Sequence, residues 1–149
     1  MLDLKNLDVF SDYSADEIYA CHVLEHFGRF EINEVLSEWN RVLKKEGVLR
    51  LAVPNFEEIV KEFLENNDVN TLMGLLYGGQ DYEYNFHKYC FTFDSLKKLL
   101  EDNGFYNVKL YDWQDFLPAG YDDFSRSYLP HMNFENGRLM SLNVTANKR

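Results

Sequence analysis

The sequence has little cysteine and little positive charge, and each scarcity excludes a class of protein. Its two cysteines, Cys21 and Cys90, are too few for a disulfide framework and do not form a metal-binding pair. Free thiols are typical of a reducing cytoplasm. Fifteen Lys and Arg residues stand against 25 Asp and Glu, which gives a net charge of −10 without a basic stripe. Because clustered Lys and Arg bind phosphate backbones and anionic membranes, we expect neither nucleic acid nor membrane as a partner.

Long apolar runs and an N-terminal leader are also lacking. No stretch approaches the roughly 18 apolar residues of a membrane-spanning helix. The first residues, Met1 to Leu4, contain no cationic region followed by an apolar one, so we predict no signal peptide and a cytoplasmic location. Hydrophobic residues make up 46% and aromatic residues 16% of the 149. This composition predicts one folded domain over residues 1–149, with a core of its own.

The sequence does contain an alternation of strand-like and helix-like periods. Glu17 to Cys21 and Val48 to Val53 are short apolar runs, which are typical of buried strands. Between them, apolar residues recur at helical spacing from Ile32 to Leu43, and the Lys-Lys-Glu-Gly sequence at 44–47 is typical of a helix end. A strand, a helix and a second strand in this order predict a parallel sheet covered by helices.

The second half of the chain continues the alternation. Two of its segments alternate apolar and polar residues, which predicts strands with one buried face each. The long loop between these two strands is compatible with an antiparallel final strand. In chain order, the predicted elements are helices over 56–64 and 72–76, a helix that is capped by Asp94 and stops near Asn103-Gly104, and strands over 106–110 and 140–146.

Several longer segments occur in a characteristic order. They are "LDLKNLDVFSDYSADEIYACHVLEHF", "EVLSEWNRVLKKEGVLRLAVPNF", "FTFDSLKKLLEDNGFYNVKLYDW" and "LMSLNVTANK". Together they resemble the C-terminal half of a class I S-adenosylmethionine-dependent methyltransferase, and "GGQDYEYNFHK" and "AGYDDFS" are similar to segments of bacterial predicted methyltransferases. The resemblance implies an α/β fold. It would be a truncated Rossmann-like sheet made of the family's fourth to seventh strands, with flanking helices and an antiparallel last strand.

The resemblance also implies S-adenosylmethionine as the cofactor. It places Asp3 and Leu4 beside the adenine, and Cys21 and His22 near the methionine end. The family's glycine-rich loop, whose backbone amides let a ligand approach closely, has no counterpart here, and no G-x-G occurs in the chain. The sequence therefore predicts that this chain alone binds the cofactor weakly or not at all.

A polar and aromatic segment at 77–88 lies, by the same resemblance, over the substrate pocket. His87 is the candidate general base because an unperturbed imidazole titrates near neutrality; the alternative is that His87 only fixes the loop. The candidates for the pocket lining are Gln80, Tyr82 and Tyr84, joined from the later loop by Tyr121 and His131.

The sequence His22-Val23-Leu24-Glu25-His26 also fits the H-x-x-E-H pattern of zinc peptidases. That chemistry needs both histidines on one helix face, with Glu25 beside them as general base. The segment directly follows a predicted buried strand, and no third ligand is evident. We therefore predict no metal, and expect the segment to pack or to contact cofactor or substrate.

Two functions remain in competition, with the zinc peptidase as a remote third. The first is a methyltransferase that transfers a methyl group to a small-molecule, glycan or protein acceptor once a partner or a second copy completes it. The second is a non-catalytic methyltransferase-like domain with an interaction or regulatory role. Whether the chain is an enzyme therefore depends on how the cofactor site is completed.

The resemblance has a consequence for assembly. In the family the first strand lies beside the fourth, so the strand from Glu17 to Cys21 becomes an exposed edge in this chain. The strand is apolar and lacks the proline or lysine that usually protects an edge. We predict a homodimer that pairs through this edge. The alternatives are that Met1 to Phe10 fold back over it, or that a partner supplies the missing half.

Overall fold

The computed structural model describes residues 3–149 and shows a mixed α/β fold. A four-stranded sheet has the order β1-β2-β6-β3, in which β1 is parallel to β2 and β6 is antiparallel to both of its neighbours. Strands β4 and β5 form a separate antiparallel ribbon. The strands are β1 (Ala15–Cys21), β2 (Leu43–Pro54), β3 (Phe105–Leu110), β4 (Tyr128–Leu129), β5 (Arg138–Leu139) and β6 (Ser141–Lys148).

The helices surround this sheet. Besides the α-helices, three single turns are 3-10 helices, at Leu24–His26, Asn70–Leu72 and Phe124–Arg126. Of the helices in residues 3–149, none is long and apolar enough to cross a membrane. The α-helices are α1 (Ile32–Val42), α2 (Phe56–Asn66), α3 (Met73–Tyr77), α4 (Phe93–Asp102) and α5 (Trp113–Phe116).

The last strand is buried on both faces. Residues 141–146 of β6 are all buried, so the half-buried alternation predicted for 140–146 is wrong. The reason is position, since β6 lies between β2 and β3 and packed residues cover both faces. The alternation predicted for 106–110 also fails at its end. Asn107 has a φ of 54°, the register shifts between Tyr106 and Lys109, and Leu110 is left 60% exposed.

Helix α1 ends earlier than its sequence suggests. Leu43 is already extended, with φ −65° and ψ 139°, so Lys44 and Lys45 belong to β2 instead of a last helical turn. Gly47 also lies within β2. A Cβ at Gly47 would lie 2.8 Å from the Lys44 carbonyl oxygen, which leaves room for glycine alone. The predicted apolar face is confirmed and consists of Ile32, Val35, Leu36, Trp39 and Val42, all buried.

Helix α4 begins at a cap that differs from the predicted one. The Thr92 hydroxyl accepts from the Ser95 backbone N–H at 3.2 Å, and the Ser95 hydroxyl accepts from the Thr92 backbone N–H at 3.0 Å. This reciprocal pair is a capping box. Asp94, the predicted cap, lies in the first turn, where its charge still favours the helix N-terminus. The predicted end near Asn103 is confirmed, and Gly104 follows with a φ of 86°.

The topology brings the ends of three strands to one edge of the sheet. The carboxyl ends of the parallel strands β1 and β2 meet there, and β6 begins there because Pro54 pairs with Ser141. In open α/β sheets, ligands bind at the carboxyl ends of the strands. A ligand site is therefore expected at the segments that follow Cys21 and Pro54.

Candidate functional site

The chain turns sharply as it leaves β1. His22 still extends the ladder, since its N–H donates to the Ala52 carbonyl at 2.7 Å, but its φ of 49° is left-handed. Non-glycine residues rarely adopt this conformation, and such positions concentrate at functional sites. A single 3-10 turn over Leu24–His26 follows and directs the Glu25 side chain inward, where it is fully buried. Between residues 22 and 26 no α-helix forms, so the helical premise of the zinc peptidase pattern is wrong.

The loop that carries His87 lies directly against this turn. The backbone N–H groups of Lys88 and Tyr89 both donate to the Glu25 carbonyl, at 2.7 and 3.2 Å. A little further on, the Phe91 carbonyl accepts from the Phe56 N–H at 3.0 Å. The Phe91 side chain itself is 1% exposed and part of the main core. The loop is thus fixed to both the turn after β1 and the start of α2.

Three histidines surround the buried carboxyl group of Glu25. Its Oε1 lies 3.4 Å from His22 Nδ1 and 3.9 Å from His87 Nε2. The His26 and His87 rings meet edge to face, with centroids 4.9 Å apart. Within residues 3–149, neither Glu25 oxygen has a hydrogen-bond partner. A carboxyl group buried in this way is expensive to ionise, so the cluster is a candidate for proton or cation chemistry.

Burial shifts the pKa values of this cluster in opposite directions. It raises the pKa of Glu25 to about 8, because the charged carboxylate loses its hydration. It lowers the pKa of His22 to about 4, and the nearby His87 lowers it further. The pKa of His87 is lowered as well, again mainly by burial. Near neutral pH the site therefore favours neutral imidazoles at His22 and His87 and a neutral carboxyl group at Glu25.

A cavity of about 590 Å³ opens beside the cluster, a volume within the range of small-molecule sites. His22 and His26 form part of its wall. On its rim the Lys5 ammonium lies 3.1 Å and the Lys88 ammonium 3.7 Å from the carboxylate of Glu31. The remaining lining residues come from three separate stretches of the chain and are Asp3, Leu4, Val23, Phe27, Tyr82 and Tyr84.

Five of the predicted site residues therefore lie together. They include two residues predicted to contact the adenine, one predicted to lie near the methionine end and two predicted pocket tyrosines. The sequence alone does not establish that these residues line one cavity. These five are Asp3, Leu4, His22, Tyr82 and Tyr84.

Other predicted residues lie elsewhere within the described chain. His87 is behind the cavity wall against Glu25, and its Nδ1 is 2.9 Å from the Leu75 carbonyl. Gln80 is exposed and donates to its own loop. Tyr121 and His131 are exposed in the later loop and do not contribute to this cavity.

Cys21 belongs to a different cluster. It ends β1 beside Tyr19, whose hydroxyl donates to Asp123 at 2.8 Å, and it is not among the residues around the cavity. Burial raises the pKa of the Cys21 thiol to about 11, so the thiolate is scarce at neutral pH.

The sequence does not reveal the role of Glu25 or of the rim charges. It marks Glu25 only as part of the H-x-x-E-H pattern and Lys88 only as the end of the 77–88 segment, and it marks neither Lys5 nor Glu31. No local period marks these residues, because the rim charges come from three segments that only the tertiary fold brings together.

Comparison with known proteins supports the fold. The family described as "Methyltransferase domain" matches residues 1–51. The whole fold is similar to a DszA carbon methyltransferase, with a TM-score of 0.58, 19% identity and coverage of 99% of this chain and 32% of that one. It is equally similar to a SAM-dependent methyltransferase from Archaeoglobus fulgidus, with a TM-score of 0.58, 19% identity and coverage of 99% and 66%. This is a class I methyltransferase fold.

A third similar structure is a methyltransferase in complex with the Haloferax volcanii Trm112 activator, with a TM-score of 0.57, 15% identity and coverage of 98% of this chain and 58% of that one. The chain thus spans 32% to 66% of the length of these three methyltransferases. No curated protein matches the sequence. The resemblance to class I methyltransferases is confirmed, and the mixed sheet with an antiparallel last strand is confirmed with it.

Proposed function

We propose that this chain takes part in S-adenosylmethionine-dependent methyl transfer and holds parts of the cofactor and the methyl acceptor in the cavity beside His22. The observation that carries the proposal is the shared cavity. Candidate cofactor contacts and candidate acceptor contacts come from distant parts of the sequence and line one space of about 590 Å³ at the carboxyl end of β1. Methyl transfer needs this proximity, because donor and acceptor must meet in line.

The lining suits such a pair of ligands. Tyr82 and Tyr84 offer aromatic faces with exposed fractions of 60% and 65%, so they are available to an incoming acceptor. Lys5, Lys88 and Glu31 give the rim charges of both signs, which fits a zwitterionic methionine end. A small molecule, a glycan or a side chain of a protein is a suitable acceptor for this open space.

His87 is better placed to position neighbours than to accept the acceptor's proton. It does not line the cavity, and its two nitrogens face the Leu75 carbonyl and Glu25. We propose that His87 holds Glu25 and the His26 ring, which does line the cavity.

Titration with S-adenosylhomocysteine tests the cofactor part of the proposal. Because the 149 residues contain no glycine-rich loop, we expect weak but saturable binding, with a Kd on the order of 0.1–1 mM, or about −5 kcal/mol. Amide NMR shifts should change first at Leu4 and His22. Leu4→Ala should weaken binding several-fold, because Leu4 lines the cavity and is a predicted contact of the adenine, and Tyr121→Ala should leave it unchanged.

Two results would contradict this proposal. A Kd near 1 µM, about −8 kcal/mol, would mean that the chain binds the cofactor through another surface. A second groove lies between β3 and α5 and is lined by Leu110, Tyr111 and Trp113. Shifts confined to that groove, with none at His22, would place the ligand elsewhere.

A second function, as a methyltransferase-like interaction domain, is favoured by the state of β1. Within residues 3–149, β1 pairs with β2 alone. The segment from Asp3 to Phe10 packs on α1 instead, where Trp39 Nε1 donates to the Leu4 carbonyl and the Leu7 N–H donates to Glu38. Met1 and Leu2, which the fold-back alternative also involves, lie outside the described residues.

We propose that β1 pairs with a second copy of the chain or with further polypeptide. The His22 N–H faces β2, and backbone groups alternate along a strand, so the N–H groups of Glu17, Tyr19 and Cys21 face outward. An edge strand with such outward N–H groups is a template for pairing, although β1 carries exposed Asp16 and Glu17 at its start. The complex of a similar methyltransferase with its activator is consistent with a partner.

Sedimentation equilibrium tests the homodimer. At micromolar concentration we expect about twice the 17.7 kDa of one chain. Glu17→Pro removes an outward N–H and should shift the equilibrium to monomer, whereas Glu17→Ala removes only the ion pair with Arg50 and should stay dimeric. A monomer at high concentration with slowly exchanging Tyr19 and Cys21 amides would contradict edge pairing between copies.

A further inference from the structure

Glu25, His26 and His87 bring three potential metal ligands to one point beside the cavity. One carboxylate oxygen and one nitrogen from each imidazole all lie within 4.8 Å of one another. The fold supplies His87 as the third ligand that the sequence of the turn alone lacks. Metal–ligand bonds of about 2.0–2.2 Å require these atoms to approach by roughly 1 Å, which side-chain rotation can provide.

Hydrogen bonding fixes which nitrogens are available. His26 Nδ1 lies 3.1 Å from the Phe86 carbonyl, and His87 Nδ1 lies 2.9 Å from the Leu75 carbonyl. A carbonyl oxygen only accepts, so each Nδ1 carries the proton and each neutral ring keeps its lone pair on Nε2. Metal-binding histidines are oriented in this way, by donating their other N–H to a carbonyl.

A chain of hydrogen bonds also fixes the tautomer of His22, but with the proton on Nε2 and the lone pair on Nδ1. The Asn143 side-chain amide donates to the Ser125 carbonyl at 2.8 Å, so its oxygen accepts from the Ser141 hydroxyl at 2.8 Å. The single hydroxyl proton is then used, and Ser141 accepts from His22 Nε2 at 3.3 Å. His22 Nδ1 therefore presents a lone pair to Glu25 Oε1, 3.4 Å away. An ionised Glu25 Oε1 would face imidazole lone pairs at both His22 Nδ1 and His87 Nε2.

Glu25 supplies the second, independent observation. Its side chain is completely buried, and within residues 3–149 neither oxygen has a hydrogen-bond partner. Buried carboxylates are normally paired or coordinate metals. We propose that Glu25, His26 and His87 bind a divalent first-row transition metal such as Zn²⁺, which is the opposite of the expectation from sequence. Two imidazoles and one carboxylate form a ligand set that such ions favour.

The proposed ion would lie next to the cavity, because His26 belongs to both. Three protein ligands leave further coordination positions open, as in catalytic zinc sites. An oxygen-bearing molecule in the cavity is the natural fourth ligand. The metal site can be tested independently of the proposed methyl transfer, because metal binding by Glu25, His26 and His87 does not require S-adenosylmethionine.

Metal uptake is the direct test. Tag-free protein is stripped with a chelator, loaded with Zn²⁺ or Co²⁺, desalted and analysed for metal. We expect one ion per chain and, with Co²⁺, the intense visible absorption of a four-coordinate site. His26→Ala and Glu25→Gln should each weaken binding by at least about 10- to 100-fold, which is the usual cost of losing a residue that only orients a metal ligand. His131→Ala removes an exposed histidine outside the cluster and should bind like the original chain.

A spectroscopic measurement on the unaltered chain covers the case in which a variant fails to fold. Zn²⁺ should shift the Nε2 resonances of His26 and His87 and leave His131 unchanged. Substoichiometric uptake, or equal uptake by the chain with His26→Ala and His87→Ala, would overturn the proposal. A proton on Glu25 that is shared with a histidine would then account for the cluster.

Discussion

Phe91→Ala should lower the free energy of unfolding by about 3–5 kcal/mol, the usual cost of removing a buried phenylalanine side chain. Phe91 is 1% exposed, stacks on Tyr89 at 4.8 Å between ring centroids and fixes the loop that follows His87. The substitution leaves a cavity in the core and removes the anchor of that loop. Since domains are stable by only about 5–15 kcal/mol, this is a large fraction of the total.

Chemical denaturation followed by circular dichroism measures the effect. Phe30→Ala is the matched control, because Phe30 is 79% exposed and contacts the Arg29 guanidinium at 4.7 Å from its ring centroid. Its expected effect is below about 1 kcal/mol. Equal losses for the two variants would mean that Phe91 does not anchor the core.

The second large effect is a dependence of stability on pH that Glu25 controls. In chelator-treated protein, the pKa of Glu25 rises from 4.5 in the unfolded chain to about 8 in the fold. Between these values the unfolded state releases a proton that the folded state keeps, so stability falls as pH rises. His22, whose pKa falls from 6.5 to about 4, and His87, whose pKa is also lowered, have the opposite effect up to about pH 7, where the unfolded imidazoles have largely lost their protons. Above about pH 7 the effect of Glu25 dominates.

We therefore expect the free energy of unfolding to decrease by about 1 kcal/mol between pH 7 and pH 8, which is less than the full 1.4 kcal/mol per unit because Glu25 is already partly ionised near its pKa. Glu25→Gln has no such proton and should flatten this interval. Glu31→Gln alters an acid on the cavity rim whose pKa is lowered by the Gly28 N–H and by Lys5, so it should keep the slope. Parallel curves for the original chain and Glu25→Gln would contradict a buried, protonated Glu25.

Local sequence patterns predicted the elements well and their ends less well. The apolar spacing in α1 and the runs in β1 and β2 correctly indicated a helix between two parallel strands. Gly47 was misassigned to a helix end because a close approach to the Lys44 carbonyl is a tertiary constraint that leaves no period in the sequence. The burial of both faces of β6 depends on its two neighbours, which the sequence of the strand does not contain.

The candidate site was likewise predicted only in part. The resemblance to methyltransferases indicated Asp3, Leu4 and His22 as neighbours of one cavity, which the fold brings together. It did not indicate that His87 would face Glu25, because two residues so far apart in sequence meet only through the hydrogen bonds of Lys88 and Tyr89 to the turn. The chemistry of the cluster is thus a property of the folded chain.

The central position of β6 has a consequence for synthesis on the ribosome. Strands β2 and β3 are synthesised before β6, yet each of them pairs with β6, which is the last of the four strands of this sheet along the chain. Until residue 148 has left the exit tunnel, both strands present unpaired edges, and such nascent chains are prone to aggregate. We expect stalled chains that lack β6 to be held by chaperones and to be digested by protease far faster than the released chain.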